Sequence, residues 1–265
     1  SDFIIKIWEI QTEKNIYIFN EHTNNITSIL KLNNNFLGSA SNDKTIKIWD
    51  YKIGKCIKTI RIKSNPYIIF SIHDENGLIG CIPNRNSITI YDYSQENDNK
   101  IKFEKNLENI IPWIEGFYCF PNDKRIILSY IGFFSVFSAE IEEIKRITID
   151  NETPEIFLQI SNGDLIVGLL GNQIFIYDKN LFFKAKLIGH NYTITGLFQL
   201  EEKILLSYSD NSIVKLWNLD TNEIIETFFN IEDKINSLIY IGNKKFICSN
   251  DNKGNNIEKW EIEVH

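Results

Sequence analysis

The chain has 265 residues, with 28 Lys and Arg against 35 Asp and Glu, a net charge of −7 and a sequence pI near 5.3. Only Arg61, Arg85, Arg125 and Arg146 are arginines and they form no basic stripe, so a nucleic-acid partner is not expected. No run approaches 18 apolar residues and the first ten residues lack the order of a signal peptide, so no membrane insertion is expected. A hydrophobic fraction of 43% suffices for a packed core, and 50 isoleucines against three alanines favour sheet over helix. Cys56, Cys81, Cys119 and Cys248 show no metal or redox spacing; they read as small buried hydrophobes in a reducing, intracellular setting, the cytoplasm being expected. The absence of methionine points to a piece of a longer chain.

Taken in order, Asp2 to Glu9 and Asn15 to Phe19 read as two strands. From His22 a complete unit follows, 22–63. Ile26, Ile29 and Leu32 form one apolar series, Phe36 to Ala40 a second run, Thr45 to Trp49 a polar/apolar alternation, and Cys56 to Ile60 a fourth strand. The Asn33-Asn34-Asn35 and Asn42-Asp43-Lys44 clusters are its turns, because Asn and Asp tolerate left-handed backbone and bond their own main chain. Similar units recur at 67–104, 110–149, 154–188, 189–230 and 231–265, after an incomplete one at 1–20. In the unit 67–104 the third strand is Ser87 to Asp92, and 94–100 reads as a polar loop. The unit 110–149 is the most divergent, with strands at 113–120, 125–130, 132–137 and 141–149. An aromatic residue ends the third strand of every unit: Trp8, Trp49, Tyr91, Phe137, Tyr177, Trp217 and Trp260, at intervals of 40 to 46 residues. Such a period marks a repeat architecture.

These residues resemble the WD repeat of β-propeller proteins. His22, Ser39, Asp43 and Trp49 stand where that family carries a His–Ser–Asp–Trp hydrogen-bonded tetrad, and Trp49-Asp50 is its signature dipeptide. His190, Ser207 and Trp217 match again, and an ungapped comparison puts Asn211 at the acid position. In the unit 67–104, Tyr91 replaces Trp and Arg85 falls at that position, so its network is expected to be lost. The resemblance implies an all-β, seven-bladed propeller of four-stranded antiparallel blades in a single domain, 1–265, its first and last blades incomplete. Bookkeeping gives 25 strands against 28 for seven full blades, so either upstream sequence supplies the missing three or the seam stays open.

The tetrads are expected to be structural, since indole, hydroxyl, imidazole and carboxylate satisfy one another in series. By the resemblance, partners are read by loops leading into first strands and by turns between second and third strands. The candidate contacts are therefore Trp113, Tyr192, Tyr67, Arg85, Asn42 and Asp210; Tyr, Trp and Arg are enriched at binding hot spots. Phe133-Phe134 and Phe182-Phe183 are expected to pack mainly into the core, with one ring of Phe133-Phe134 turned outward. No phosphate loop, nucleophile elbow or metal-spaced His pair occurs; His73 and His265 are the other histidines. The expected function is a non-catalytic protein–protein interaction scaffold in a larger intracellular protein or assembly, without cofactor or metal. Alternatives are a peptide- or phosphopeptide-reading adaptor of a ubiquitin ligase, for which only Arg85 is well placed, and a propeller enzyme with a central-channel site.

Overall fold

The computed structural model describes residues 3–9, 11–12, 14–32, 35–71, 77–83, 87–93, 101–106, 114–120, 125–138, 142–229, 235–242, 245–250 and 257–261. Among them there are 25 strands and no helix, in seven antiparallel sheets. The chain divides into two compact units, the first built on residues 1–114 and the second on 115–138 and 142–265.

The first unit holds three sheets. β1 (Ile5–Glu9) pairs with β2 (Lys14–Phe19). The second sheet runs β3 (Ile26–Lys31), β4 (Phe36–Ser41), β5 (Thr45–Asp50), β6 (Lys55–Arg61), and the third β7 (Pro66–Ser71), β8 (Leu78–Pro83), β9 (Ser87–Asp92), β10 (Ile101–Asn106). The second unit holds four: β11 (Gly116–Cys119), β12 (Ile126–Tyr130), β13 (Phe133–Phe137), β14 (Glu143–Thr148); β15 (Pro154–Gln159), β16 (Leu165–Leu169), β17 (Ile174–Tyr177), β18 (Phe183–Leu187); β19 (Ile194–Glu201), β20 (Ile204–Ser209), β21 (Ile213–Asn218), β22 (Glu223–Phe229); and β23 (Ile235–Gly242), β24 (Lys245–Asn250), β25 (Ile257–Glu261). Each sheet is a meander in chain order, as short polar turns between strands dictate. The two-stranded first sheet and three-stranded last one match the sequence bookkeeping.

Burial follows position in the sheet. β4, β12, β16 and β20 are almost wholly buried, whereas β6 and β14 alternate. Second strands are thus buried on both faces, and fourth strands leave about every other side chain open to water. The core is accordingly a series of layers between sheets. Ile46, Ile48 and Ala40 meet Ile69, Ile79 and Cys81; Phe134 and Val136 meet Phe157, Val167 and Tyr177; Ile174, Ile176 and Leu187 meet Leu197, Leu205 and Trp217.

Two backbone devices recur. The pairing of third and fourth strands slips by one residue beside the marker aromatic, at Ile48/Trp49, Val136/Phe137, Ile176/Tyr177 and Leu216/Trp217. A bulge here re-aims the side chains of the fourth strand. The Asp or Asn after the aromatic closes the next turn: Asp50 Oδ1 accepts from Lys52 and Ile53 N–H, with Gly54 at φ 70, and Asn218 Oδ1 does the same for Asp220 and Thr221.

Candidate functional site

In the second sheet the four polar residues form one hydrogen-bonded chain. Trp49 Nε1–H donates to Ser39 Oγ at 2.8 Å, Ser39 Oγ lies 2.7 Å from His22 Nε2, and His22 Nδ1 lies 2.8 Å from Asp43 Oδ2. Asp43 also accepts from Thr23 N–H, Thr45 N–H and the Thr45 hydroxyl. A carboxylate only accepts, so Nδ1 carries the proton, Nε2 accepts from Ser39 O–H, and no donor is orphaned. Trp49, Ser39 and His22 are 1%, 0% and 4% exposed, so this polar chain is sealed. Burial works to raise the Asp43 pKa, but the hydrogen bonds from Thr45, His22 and Thr23 outweigh it and hold the carboxyl below its ordinary value.

The sixth sheet repeats three members. Trp217 Nε1–H donates to Ser207 Oγ at 2.7 Å, and His190 Nε2 is 2.7 Å from the same oxygen. The expected fourth member is a correction: Asn211 does not reach His190. Its Oδ1 accepts from Ser209 Oγ at 2.6 Å, and His190 Nδ1 is buried with no hydrogen-bond partner. The turn itself is the same, Ser212 at φ 64 matching Lys44 at φ 63. What differs is chemistry: a neutral amide replaces the carboxylate, and Ile213 stands where Thr45 anchors Asp43. Burial, with the Lys215 ammonium adding to it, pushes the His190 pKa down to about 4.

The register shows what the other sheets place opposite. Ser39 lies two residues beyond Leu37, the partner of Trp49. The same offset from the other marker aromatics finds Cys81, Leu128, Val167, Ser207 and Cys248. In the third, fourth and fifth sheets the Trp and the hydroxyl have both gone, and the core closes over apolar side chains. Cys81 is 1% exposed, and burial pushes its thiol up to about 12, which keeps it protonated and inert.

The candidate contacts fall as follows. Trp113 and Arg85 lie outside the described residues, as do His73 and His265. In the first unit, Tyr67 is 37% exposed on β7, and Asn42 is half-buried with its N–H bonded to Asn25 O. In the second unit Tyr192 is 56% exposed and Asp210 is exposed, its N–H bonded to Thr193 O. Two residues that sequence reasoning missed join Tyr192. Ile131 (66% exposed) and Leu170 (50%) occupy the turns between second and third strands of the fourth and fifth sheets.

These turns are tied into one edge. Gly132 N–H donates to Glu152 O, Glu152 Oε2 accepts from Gly171 N–H, Leu170 N–H donates to Thr153 O, and the Thr193 hydroxyl donates to Leu170 O. A signal was available: Ile131-Gly132 and Leu170-Gly171 place large apolar residues where Asn42 and Asp210 hold the polar residues usual in turns. A shallow polar cleft of about 530 Å³ lies between Ser161-Asn162 and residues 199–202, bridged by Gln199 to Ser161. Among the described residues no three His, Cys, Asp or Glu side chains gather as a metal site requires. Of the described arginines, Arg146 holds Glu143 through two bonds and Arg125 stands over Phe120.

Comparison with known proteins agrees with this geometry. The family model described as WD domain, G-beta repeat matches residues 13–50, which contain the tetrad acid, serine, histidine and tryptophan of the second sheet. The WD repeat-containing protein AAC3 of Dictyostelium discoideum is 33% identical over 89 residues, covering 30% of this chain and 19% of that protein. Nuclear distribution protein PAC1 of Fusarium vanettenii is 38% identical over 71 residues, 23% of this chain and 16% of its own. Mitochondrial division protein 1 of Saccharomyces cerevisiae is 47% identical over 45 residues, 17% and 6% of the two chains. The matches thus span less than a fifth of each of these relatives. Repeat period, four-stranded meanders, the His–Ser–Asp–Trp chain and these matches together support a WD-repeat family for this chain.

Proposed function

We propose that the chain is a non-catalytic protein-interaction platform working inside a larger intracellular assembly, and that in the second unit partners are read by the edge carrying Ile131, Leu170 and Tyr192. One observation carries the reading: three large apolar side chains, each at least half exposed, sit on turns locked to one another by hydrogen bonds. Apolar groups held in place by a rigid frame bind with little ordering entropy to lose. Asp210 and Glu152 add acidic character beside them, which suits a partner with basic or neutral side chains around an apolar anchor. The names of the relatives attach those proteins to nuclear distribution and mitochondrial division, settings consistent with a platform role.

The test is capture of the native protein from its own cells beside a Leu170→Ser, Tyr192→Ala variant of equal melting temperature. Partners retained by the native protein and lost by the variant are the expected result. An identical set of partners on both would overturn the assignment of this edge.

A further inference from the structure

Two adjacent phenylalanines stand in the open at the turn between β17 and β18, Phe182 64% and Phe183 56% exposed. The bulge at Ile176/Tyr177 makes Lys184 the extra residue, so Phe183 falls on the same face as Phe175 and Lys186 instead of alternating away. Phe183 packs edge-on against Phe175 and Tyr177, with centroids 5.4 and 5.9 Å apart. The turn is rigid. Asp178 Oδ1 accepts from Asn180 and Phe182 N–H at 2.9 and 2.8 Å, and Leu181 is held at φ 64 with its side chain buried. From the fourth sheet, Lys145 Nζ donates to the carbonyls of Asn180 and Leu181 and stands 4.2 Å from the centre of the Phe182 ring.

The charge around the rings runs against the acidic balance of the chain. Lys179 and Lys186 are exposed and form no ion pair among the described residues, and Lys145 meets two carbonyls and the Phe182 ring. Lys184 is paired with Asp164, while the Asp178 carboxylate is occupied by the turn. We propose that this rim of the second unit, Phe182 and Phe183 ringed by Lys145, Lys179 and Lys186, docks on the anionic surface of a lipid bilayer.

Three features select that occupant. Two rings a little over half exposed offer roughly 200 Å², far below the ~800 Å² per partner of a stable protein interface, yet enough for contact at headgroup depth. The cations are lysines, point charges on flexible stems suited to a diffuse anionic surface, not the planar fork of arginine that reads one carboxylate or phosphate. The rings project from a turn with their long basic neighbours able to reach past them, the arrangement by which amphipathic side chains settle at an interface. The net charge of −7 does not prevent this, because charges more than about 8 Å apart are screened at physiological ionic strength.

The test is co-sedimentation of the full chain with vesicles of phosphatidylcholine alone or with 30% phosphatidylserine, an arbitrary and roughly physiological dose. Beside it run Phe182→Ser and the pair Lys179→Glu, Lys186→Glu, all at solvent-exposed positions and checked by thermal melting. The proposal expects binding to the phosphatidylserine vesicles, weakened at least fivefold by either variant and by omission of phosphatidylserine. Absence of binding, or equal binding by native chain and both variants, would overturn it. So would a chain that ignores vesicles but binds an immobilised Glu- and Leu-rich peptide through Phe182, which would assign the rim to an acidic protein partner.

Discussion

Asn211→Asp supplies the carboxylate that the second sheet has and the sixth lacks. The turn already has the right backbone, so a carboxylate at 211 can accept from His190 Nδ1 as Asp43 does from His22. A hydrogen bond to a charged group contributes about 1.5–3 kcal/mol. Desolvating the new charge beside Asp210 takes back a part, leaving about 1 kcal/mol, or a melting temperature higher by about 2–4 °C for a chain of this size. The pH dependence gives a second reading. His190 is a base whose folded pKa, about 4, lies below its ordinary 6.5. The unfolded chain therefore binds the proton first: stability is full above pH 6.5, falls as pH drops from 6.5 to about 4, and changes no further below that. The loss across this window is about 3 kcal/mol. In the variant the carboxylate favours the imidazolium, the folded pKa rises and the loss shrinks. Asp43, whose pKa is lowered, loses its contribution as pH falls through and below the ordinary carboxylate range, and it is common to both chains, so the difference between native chain and variant in melts at pH 7.5 and 4.5 reports the His190 contribution. NMR titration of the His190 ring protons follows the same change directly. A variant that melts no higher at pH 7.5 and loses as much stability by pH 4.5 would refute the reasoning.

Ser39→Ala leaves the Trp49 indole N–H and His22 Nε2 buried without partners and should cost about 2–3 kcal/mol in denaturant unfolding. Ser129→Ala, at a buried hydroxyl that has no partner to lose, should change stability by less than about 0.5 kcal/mol; equal losses would remove the network argument. Gly196→Ala drives a methyl group into the Tyr208 ring directly across the β19–β20 pair, and a loss of about 2 kcal/mol or more is expected in the same assay.

Much of the architecture was legible in the residues because a sheet's own chemistry is local. Alternation, Asn- and Asp-rich turns and one aromatic per unit mark where each strand begins and ends, and the strands at Thr45–Asp50, Ser87–Asp92 and Ile213–Asn218 lie where that reading puts them. The tetrad was half legible. Spacing brings Ser39 and Trp49 together, since it sets the register, but it also nominated Asn211, where side-chain chemistry and the pull of Ser209 decide otherwise.

Side-chain direction was decided by the tertiary structure. Alternation assigns Phe182 and Phe183 to opposite faces and core packing takes both inward, yet a one-residue bulge and the end of the neighbouring layer leave both in the open. Phe133-Phe134 shows the opposite outcome, with Phe134 sealed and Phe133 covered by Tyr130 and Arg146. The exposed edge of Ile131, Leu170 and Tyr192 likewise joins turns some 20 to 60 residues apart in sequence, brought together by hydrogen bonds between successive sheets. Periodicity and turn residues act within one strand pair, so the sequence by itself determined the repeat and its strands. Which side chains face water depends on bulges and on what the adjoining sheet covers, and only the packed structure decides that.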